Sequence, residues 1–288
     1  MNIIEHERPL RAQIRQWRRN QQSIALVPTM GHLHDGHLAL VEHAQSQADH
    51  VIVSIFVNPL QFDNTEDLKR YPSSIASDLQ RLSALGVDAI FKPTVDLLYP
   101  LGLELAPRIH IPMLGDEFCG AERPGHFDGV ATVVSKLFNL VEPDFAIFGR
   151  KDYQQLLIIQ RLVSELNFTV QLQAVDTVRA DDGLALSSRN VHLSTEERVL
   201  ACTLYATLNN ISQQANKLRL ADTLASVLSE ATTHLSQSSL KVEYLALRDA
   251  SDLQAIRAET TEAIVLAAVQ LGKVRLIDNI LFELPHQP

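Results

Sequence analysis

Between residues 23 and 175, short apolar runs rich in β-branched side chains alternate with stretches of helical period. The strand-like runs cover residues 23–29, 50–57, 89–92, 145–149 and 169–175, and the helix-like patterns cover 38–48, 74–85, 129–141 and 153–166. Short apolar strands separated by amphipathic helices pair in parallel, with helices covering both faces of the sheet. The expectation is an α/β fold, a Rossmann-like doubly wound parallel sheet. Ligands of such sheets bind beyond the carboxyl ends of the strands, so the segments that follow the strands are where chemistry is sought.

Elsewhere the pattern changes. Residues 93–123 carry Pro93, Pro100, Pro107 and Pro112 with few helical signals, and read as loops or an edge excursion. A polar turn, Ala180-Asp181-Asp182-Gly183, reads as a hinge. It divides the chain into a nucleotide-binding domain, 1–180, and a smaller α+β domain, 181–288. In the second part Ser194-Thr195-Glu196-Glu197 has the signature of a helix start and opens a long helix. A helical stretch at 220–235, strand-like runs at 242–248 and 275–284, and an apolar segment at 263–270 follow.

After the first strand the chain reads Pro28-Thr29-Met30-Gly31-His32-Leu33-His34-Asp35-Gly36-His37. Two imidazoles three residues apart thus stand where a strand turns into a helix. A helix N-terminus offers unpaired N–H groups and partial positive charge, which suit a phosphate. Gly31 and Gly36 remove side-chain bulk from its path, and His34 and His37 add donors. Two other readings stand beside this one: zinc ligation, for which Cys119 and Cys202 lie at no ligand spacing, and surface histidines that merely cap the helix.

Three more segments follow strands or the hinge. Asn58-Pro59-Leu60-Gln61-Phe62 offers uncharged donors and acceptors for hydroxyls and carboxylates, or simply an Asx turn. Gly149-Arg150-Lys151-Asp152-Tyr153-Gln154-Gln155 puts Lys151 where phosphates gather and Gln155 on a first helical turn; the alternative is a capping charge pair. Leu186-Ser187-Ser188-Arg189-Asn190 joins two hydroxyls to a guanidinium, a clamp for polyphosphate on a mobile loop, or else a Ser-rich linker. Arg123-Pro124-Gly125-His126-Phe127 is a polar loop that could help line the pocket. No Walker loop, no Gly-x-Gly-x-x-Gly fingerprint and no Gly-x-Ser-x-Gly elbow occurs.

Composition narrows the partners. A net charge of −9 argues against nucleic acid but leaves room for a small anion in a local basic site. Two cysteines suit a reducing compartment. Residues 1–20, with Glu5, Glu7 and five arginines, lack the apolar core of a secretory signal, and no run approaches the about 20 residues of a bilayer span. A cytoplasmic protein without a membrane partner is expected.

In order along the chain, these segments resemble the pantoate–β-alanine ligase family, of the nucleotidyltransferase superfamily with the His-x-Gly-His motif. The resemblance rests on the decapeptide, on Ser-Ile-Phe-Val-Asn-Pro-x-Gln-Phe at 54–62, and on Arg70-Tyr71-Pro72, Arg123 to Phe127 and Lys136-Leu137-Phe138-Asn139-Leu140. Lys151 to Gln155, Gly183 to Asn190 and Arg275-Leu276-Ile277-Asp278-Asn279 complete it. It implies condensation of pantoate with β-alanine at the expense of ATP, through pantoyl adenylate. Met30 to His37 would then form the nucleotide segment, with His37 and His34 on phosphate oxygens. Lys151 would hold the α-phosphate side, Ser187, Ser188 and Arg189 the β- and γ-phosphates, and Leu186 would lie in the same loop. Val178 and Gly149 to Asp152 would line the adenosine site. Gln61 and Gln155 would orient pantoate beside Asn58, Gln61 also facing β-alanine. Mg²⁺ would bridge phosphate oxygens, with Asp78 approaching it. A homodimer through the N-terminal domain is also implied. Two positions depart from the family pattern: Arg150 replaces the usual Glu, and Cys119 stands where Glu often precedes Gly120. The competing functions are a nucleotidyltransferase that stops after nucleotidyl transfer and a nucleotide-binding regulator without catalysis.

Overall fold

The computed structural model describes residues 1–62, 65–72, 74–215 and 221–284. Two compact units emerge: residues 1–150 with 155–176, and residues 151–154 with 177–288. The change of unit falls just ahead of the Ala180-Asp181 change in composition.

The first unit is built on β1 (Asn2–Ile4), α1 (Glu7–Arg19), β2 (Ile24–Thr29), α2 (Asp35–Gln47) and β3 (His50–Ile55). Then come α3 (Thr65–Arg70), α4 (Ile75–Ala84), β4 (Ala89–Phe91), α5 (Val95–Leu98), α6 (Cys119–Glu122) and α7 (His126–Val141). It closes with β5 (Phe145–Gly149), most of α8 (Tyr153–Glu165) and β6 (Gln171–Val175). The strands form one parallel sheet in the order β1-β4-β3-β2-β5-β6. From β2 the chain winds outward through β3 and β4, then returns to lay β5 on the other side of β2. The strand order therefore reverses at β2, which places the decapeptide at the switch point where open sheets bind ligands. Ala25, Val27, Val51, Val53, Ile90 and Ile147 of the sheet pack with Val41 and Ala44 of α2.

The helical boundaries differ from the sequence reading in instructive ways. α1 was hidden by its charge, yet Leu10, Ile14 and Trp17 recur at helical spacing and are buried, leaving its five arginines outside. Burying each such side chain contributes about 1.5–3 kcal/mol, enough to fix the helix on the sheet. α2 begins at Asp35 rather than Leu38, because His34 itself supplies the cap. α7 starts at His126, and the region 93–123 holds the short helices α5 and α6.

The second unit contains α9 (Thr195–Leu200), α10 (Cys202–Ala215), α11 (Ala221–Gln237), β7 (Lys241–Asp249), β8 (Glu262–Leu271) and β9 (Val274–Glu283). The strands make an antiparallel sheet in the order β7-β8-β9. Ser194 caps α9 and forms a reciprocal box with Glu197, as its sequence signals, but the expected long helix is interrupted at Ala201. Leu220, where the sequence opens the next helix, lies outside the described residues. Leu204, Leu208 and Ile211 of α10 pack on Val265, Ala267 and Val269 of the central strand β8.

Candidate active site

At the end of β2 the Thr29 hydroxyl donates to the Ser54 carbonyl (2.8 Å) and accepts from the Gly31 N–H (3.2 Å). The chain then passes through two left-handed residues, Gly31 (φ +81°) and His32 (φ +52°). A side chain at Gly31 would sit 3.1 Å from both Asp78 Oδ2 and an Ile55 methyl, so the turn requires glycine on two counts. What holds this bend is Asp78 of α4, only 1% exposed. Its two carboxylate oxygens accept the N–H groups of His32 (2.8 Å) and Leu33 (2.9 Å), and Ser74 Oγ donates to it at 3.1 Å.

The next residues build a cap entirely from imidazoles. His34 Nδ1 accepts from the Gly36 N–H (3.2 Å), and His37 Nδ1 accepts from the His34 N–H (3.3 Å). The two rings lie 4.1 Å apart and tilted by 43°. Because each Nδ1 acts as an acceptor, the neutral rings carry their protons on Nε2. The helix-capping reading thus holds, and it uses only one nitrogen of each ring. Asp35 follows on the exposed side, paired with Arg81 at 3.1 Å.

After β3, Asn58 caps a short 3₁₀ turn, Pro59–Gln61. Sequence reasoning places Asn58 beside the substrate; in the structure its amide is engaged within the protein. It is 1% exposed, and its amide oxygen accepts from Leu60 N–H (3.3 Å) and from the Tyr99 hydroxyl (2.8 Å). Its amide nitrogen donates to Gly129 O (3.0 Å) and Gln61 Oε1 (3.2 Å). All four hydrogen-bonding positions are spent inside the protein. Burial pushes the Tyr99 hydroxyl well above its usual pKa, which keeps it a donor to Asn58. Gln61, itself 7% exposed, is held in part by this Asn58 amide. Gln61 Nε2 lies 3.3 Å from Met30 Sδ, which joins this turn to the decapeptide. The Gln61 carbonyl takes His126 Nδ1 (2.7 Å) and Arg123 Nη2 (3.3 Å), so the 123–127 loop fixes the turn from behind.

Expected beside a magnesium ion, the Asp78 carboxylate faces the loop and is occupied by backbone N–H groups. Gly149 closes β5, and Arg150 Nη1 lies 3.4 Å from Asp176 Oδ1, so the departure from the family pattern finds an acidic neighbour. Gln155 stands half-buried on the first turn of α8.

The remaining expected residues belong to the second unit. The Lys151 side chain is 18% exposed, with Nζ 4.0 Å from the Asp152 carboxylate. Its backbone carbonyl accepts from Asn279 Nδ2 at 2.9 Å. Val178 and Leu186 are joined through the Leu186 N–H (3.0 Å). Ser187 caps the 3₁₀ turn Ser188–His192 by accepting from Arg189 N–H (3.3 Å), with Ser188 buried and Arg189 half-buried. The loop thus carries structure of its own. Sequence reasoning did not reach Ser74, Tyr99 or Arg179; Tyr99 and Arg179 act through partners distant along the chain, which no local pattern marks.

The sequence model of the pantoate–β-alanine ligases matches residues 2–281. The chain belongs to the pantoate–β-alanine ligase family. It is a ligase. A pantothenate synthetase of Chromohalobacter salexigens is 50% identical over 277 residues, covering 96% of this chain and 97% of that protein. A crystal structure of the pantothenate synthetase of Thermus thermophilus is 42% identical with a TM-score of 0.88, covering 97% of this chain and 99% of that one. The pantoate–β-alanine ligase of Francisella tularensis, solved in complex with β-γ ATP and β-alanine, is 36% identical with a TM-score of 0.80. It covers 98% of this chain and 97% of that one.

Proposed function

We propose that this ligase activates (R)-pantoate with ATP and passes the acyl group to β-alanine. One pantoate carboxylate oxygen attacks the α-phosphorus; the bond to the bridging oxygen breaks and pyrophosphate leaves with its electrons. The β-alanine amine then attacks the acyl carbon of pantoyl adenylate. The C–O bond to phosphate breaks, AMP leaves, and the nitrogen loses a proton to give the amide of pantothenate.

The observation that carries this reading is the double imidazole cap at the switch point of the sheet. His34 and His37 each hold Nε2–H as a donor, at a helix N-terminus whose dipole favours an anion. Fixed donors of this kind stabilise charge as it spreads over phosphoryl oxygens, without reorganisation during the step. Gln61, set by Asn58, Tyr99, Arg123 and His126, is the proposed pantoate-orienting amide and also faces β-alanine, with Gln155 as its companion. Met30 to His37, Gly149 to Asp152, Val178 and Leu186 are proposed to bind the nucleotide. Lys151 takes its α-phosphate side, and Ser187, Ser188 and Arg189 take the β- and γ-phosphates. The complex of the Francisella relative with β-γ ATP and β-alanine supports these substrates.

Among the described residues no three His, Cys, Asp or Glu side chains gather to hold a metal ion, and Asp78 spends its oxygens on the loop. Mg²⁺ is accordingly proposed to arrive on the ATP phosphates and to supply charge neutralisation there, keeping most of its water. No described helix is long and apolar enough to cross a membrane, and neither cysteine is in a disulfide. A cytoplasmic homodimer is proposed.

Measuring AMP release with pantoate, β-alanine and Mg-ATP tests the reading. Release that depends on all three and is lost in His37→Ala is expected. Pyrophosphate release that continues over many turnovers without β-alanine would leave the nucleotidyltransferase alternative standing, and ATP binding without turnover would leave the regulator.

A further inference from the structure

Two adjacent residues of the edge strand β9 reach two different segments of the second unit. Asp278, 3% exposed, takes Arg179 through both guanidinium nitrogens, at 2.6 Å and 2.9 Å. Arg179 also donates to Gly183 O (3.1 Å) and Asn279 O (3.2 Å), and its guanidinium lies over the Tyr205 ring at 4.1 Å. This anchors the bridge between Arg179 and Ala185, from which the chain runs directly into Leu186 to Arg189. Asn279, 7% exposed, donates from Nδ2 to the Lys151 carbonyl at 2.9 Å. Alternation along a strand sends neighbouring side chains to opposite faces, so one dipeptide can serve two partners.

We infer that Asp278 and Asn279 are positioning residues that set Lys151 and the 186–189 loop in a common frame. A buried Arg–carboxylate pair gains little stability over a well-packed apolar pair, because desolvation offsets its attraction. The value of this one is geometric: a planar fork admits one orientation, and the strand that fixes the fork also fixes the Lys151 backbone. This rests on the proposed roles of Lys151 and the Ser187–Arg189 segment as phosphate ligands. It adds that their spacing is set by β9, so a loss at β9 appears in adenylate formation and not in amide formation.

Asn279→Asp tests it, since the substitution keeps size and replaces the donor to Lys151 O with an acceptor. Pantoate-dependent exchange of pyrophosphate into ATP is expected to fall about tenfold to a hundredfold, the cost of an error near 1 Å at a reacting group. The KM for pantoate and the rate at which β-alanine consumes preformed pantoyl adenylate are expected to stay within about twofold of the unsubstituted enzyme. Arg179→Lys, which keeps the charge and loses the fork, is expected to behave alike and serves if Asn279→Asp does not fold. Hydrogen exchange at residues 151–154 is expected to quicken in Asn279→Asp. Lys151→Ala separates the two levels of the argument. If it abolishes exchange while Asn279→Asp and Arg179→Lys leave exchange untouched, the β9 inference is overturned and the role of Lys151 stands. If Lys151→Ala itself retains full exchange, the phosphate reading falls and the inference with it. Equal losses in both half-reactions would mark a merely structural role and overturn the inference.

Discussion

Gly129 on α7 is the position where a single methyl group should separate stability from activity. A Cβ there would lie 2.5 Å from both C and O of Leu60 and 2.6 Å from Gln61 N. Ordinary contact begins near 3.4 Å, so Gly129→Ala pushes the Pro59–Gln61 turn by about 0.9 Å, the difference between 3.4 Å and 2.5 Å. The obstacle is backbone, and no rotamer change relieves it. Overpacking of this size costs about 1–3 kcal/mol. Replacing glycine inside a helix returns about 1 kcal/mol of that through propensity, leaving a net loss of about 0–2 kcal/mol. At about 2–4 °C per kcal/mol for a chain of this order, the melting temperature drops by no more than about 8 °C. Activity is expected to suffer more. Gln61 moves with the turn, and a shift near 1 Å at a substrate-orienting group costs about a hundredfold, or about 2.7 kcal/mol of transition-state binding. The assay compares kcat/KM for pantoate at saturating Mg-ATP with calorimetric unfolding of the same preparation. A hundredfold loss against a modest melting shift is expected, with ATP binding unchanged. If kcat/KM for pantoate holds within about twofold while the fold is intact, Gln61 does not orient pantoate and its assigned role is refuted.

The imidazole cap allows a second separation: His34→Asn retains a good N-cap acceptor but removes the Nε2 donor. Unfolding free energy is expected to change by less than about 0.5 kcal/mol while adenylate formation collapses, whereas His34→Ala also loses about 1 kcal/mol of stability; unchanged turnover in His34→Asn would reduce the pair to a cap. Asp78→Asn offers one amide oxygen to two N–H groups, so urea unfolding should show a loss of about 1.5–3 kcal/mol, the worth of one hydrogen bond to a charged acceptor. Apparent affinity for ATP should weaken as the 31–33 bend loosens. Unaltered stability would show that the bend holds itself. Hydrogen bonds from Arg198, then from the Cys202 thiol and the Leu184 N–H, hold the Asp182 carboxyl well below the usual carboxylate range. A depressed folded-state pKa stabilises fully above the unfolded value of about 4 and is lost as pH falls towards the folded one. Asp182→Asn is therefore expected to flatten the acid limb of the stability–pH curve and leave the region around pH 7 with its slope unchanged. With about half of the Asp182 side chain in water the effect is small, and an acid limb identical in both proteins would refute it.

Elements whose signal is periodic were legible in the chain, and those whose signal is a partner were not. The strands β2, β3, β5 and β6 announce themselves by apolar runs between glycines, prolines and polar turns. α1 does not, because five arginines dominate its composition, although Leu10, Ile14 and Trp17 keep the helical period. At the site the same line runs between two residues of one short motif. Asn58 and Gln61 offer the same chemical group three positions apart, and nothing local says which one meets a ligand. What distinguishes them is that Tyr99 and the Gly129 carbonyl come to Asn58 from distant parts of the chain and occupy its amide, which is why Gln61 is the one proposed to meet the ligand. Asp78 repeats the lesson with charge. A carboxylate that could approach a cation serves equally as the acceptor for two adjacent N–H groups, and a loop passing through two left-handed residues leaves two such groups pointing inward. Burial of those donors unpaired would cost about 1–3 kcal/mol each. A bend of this kind therefore demands a buried acceptor from elsewhere in the fold, and Asp78 is that acceptor.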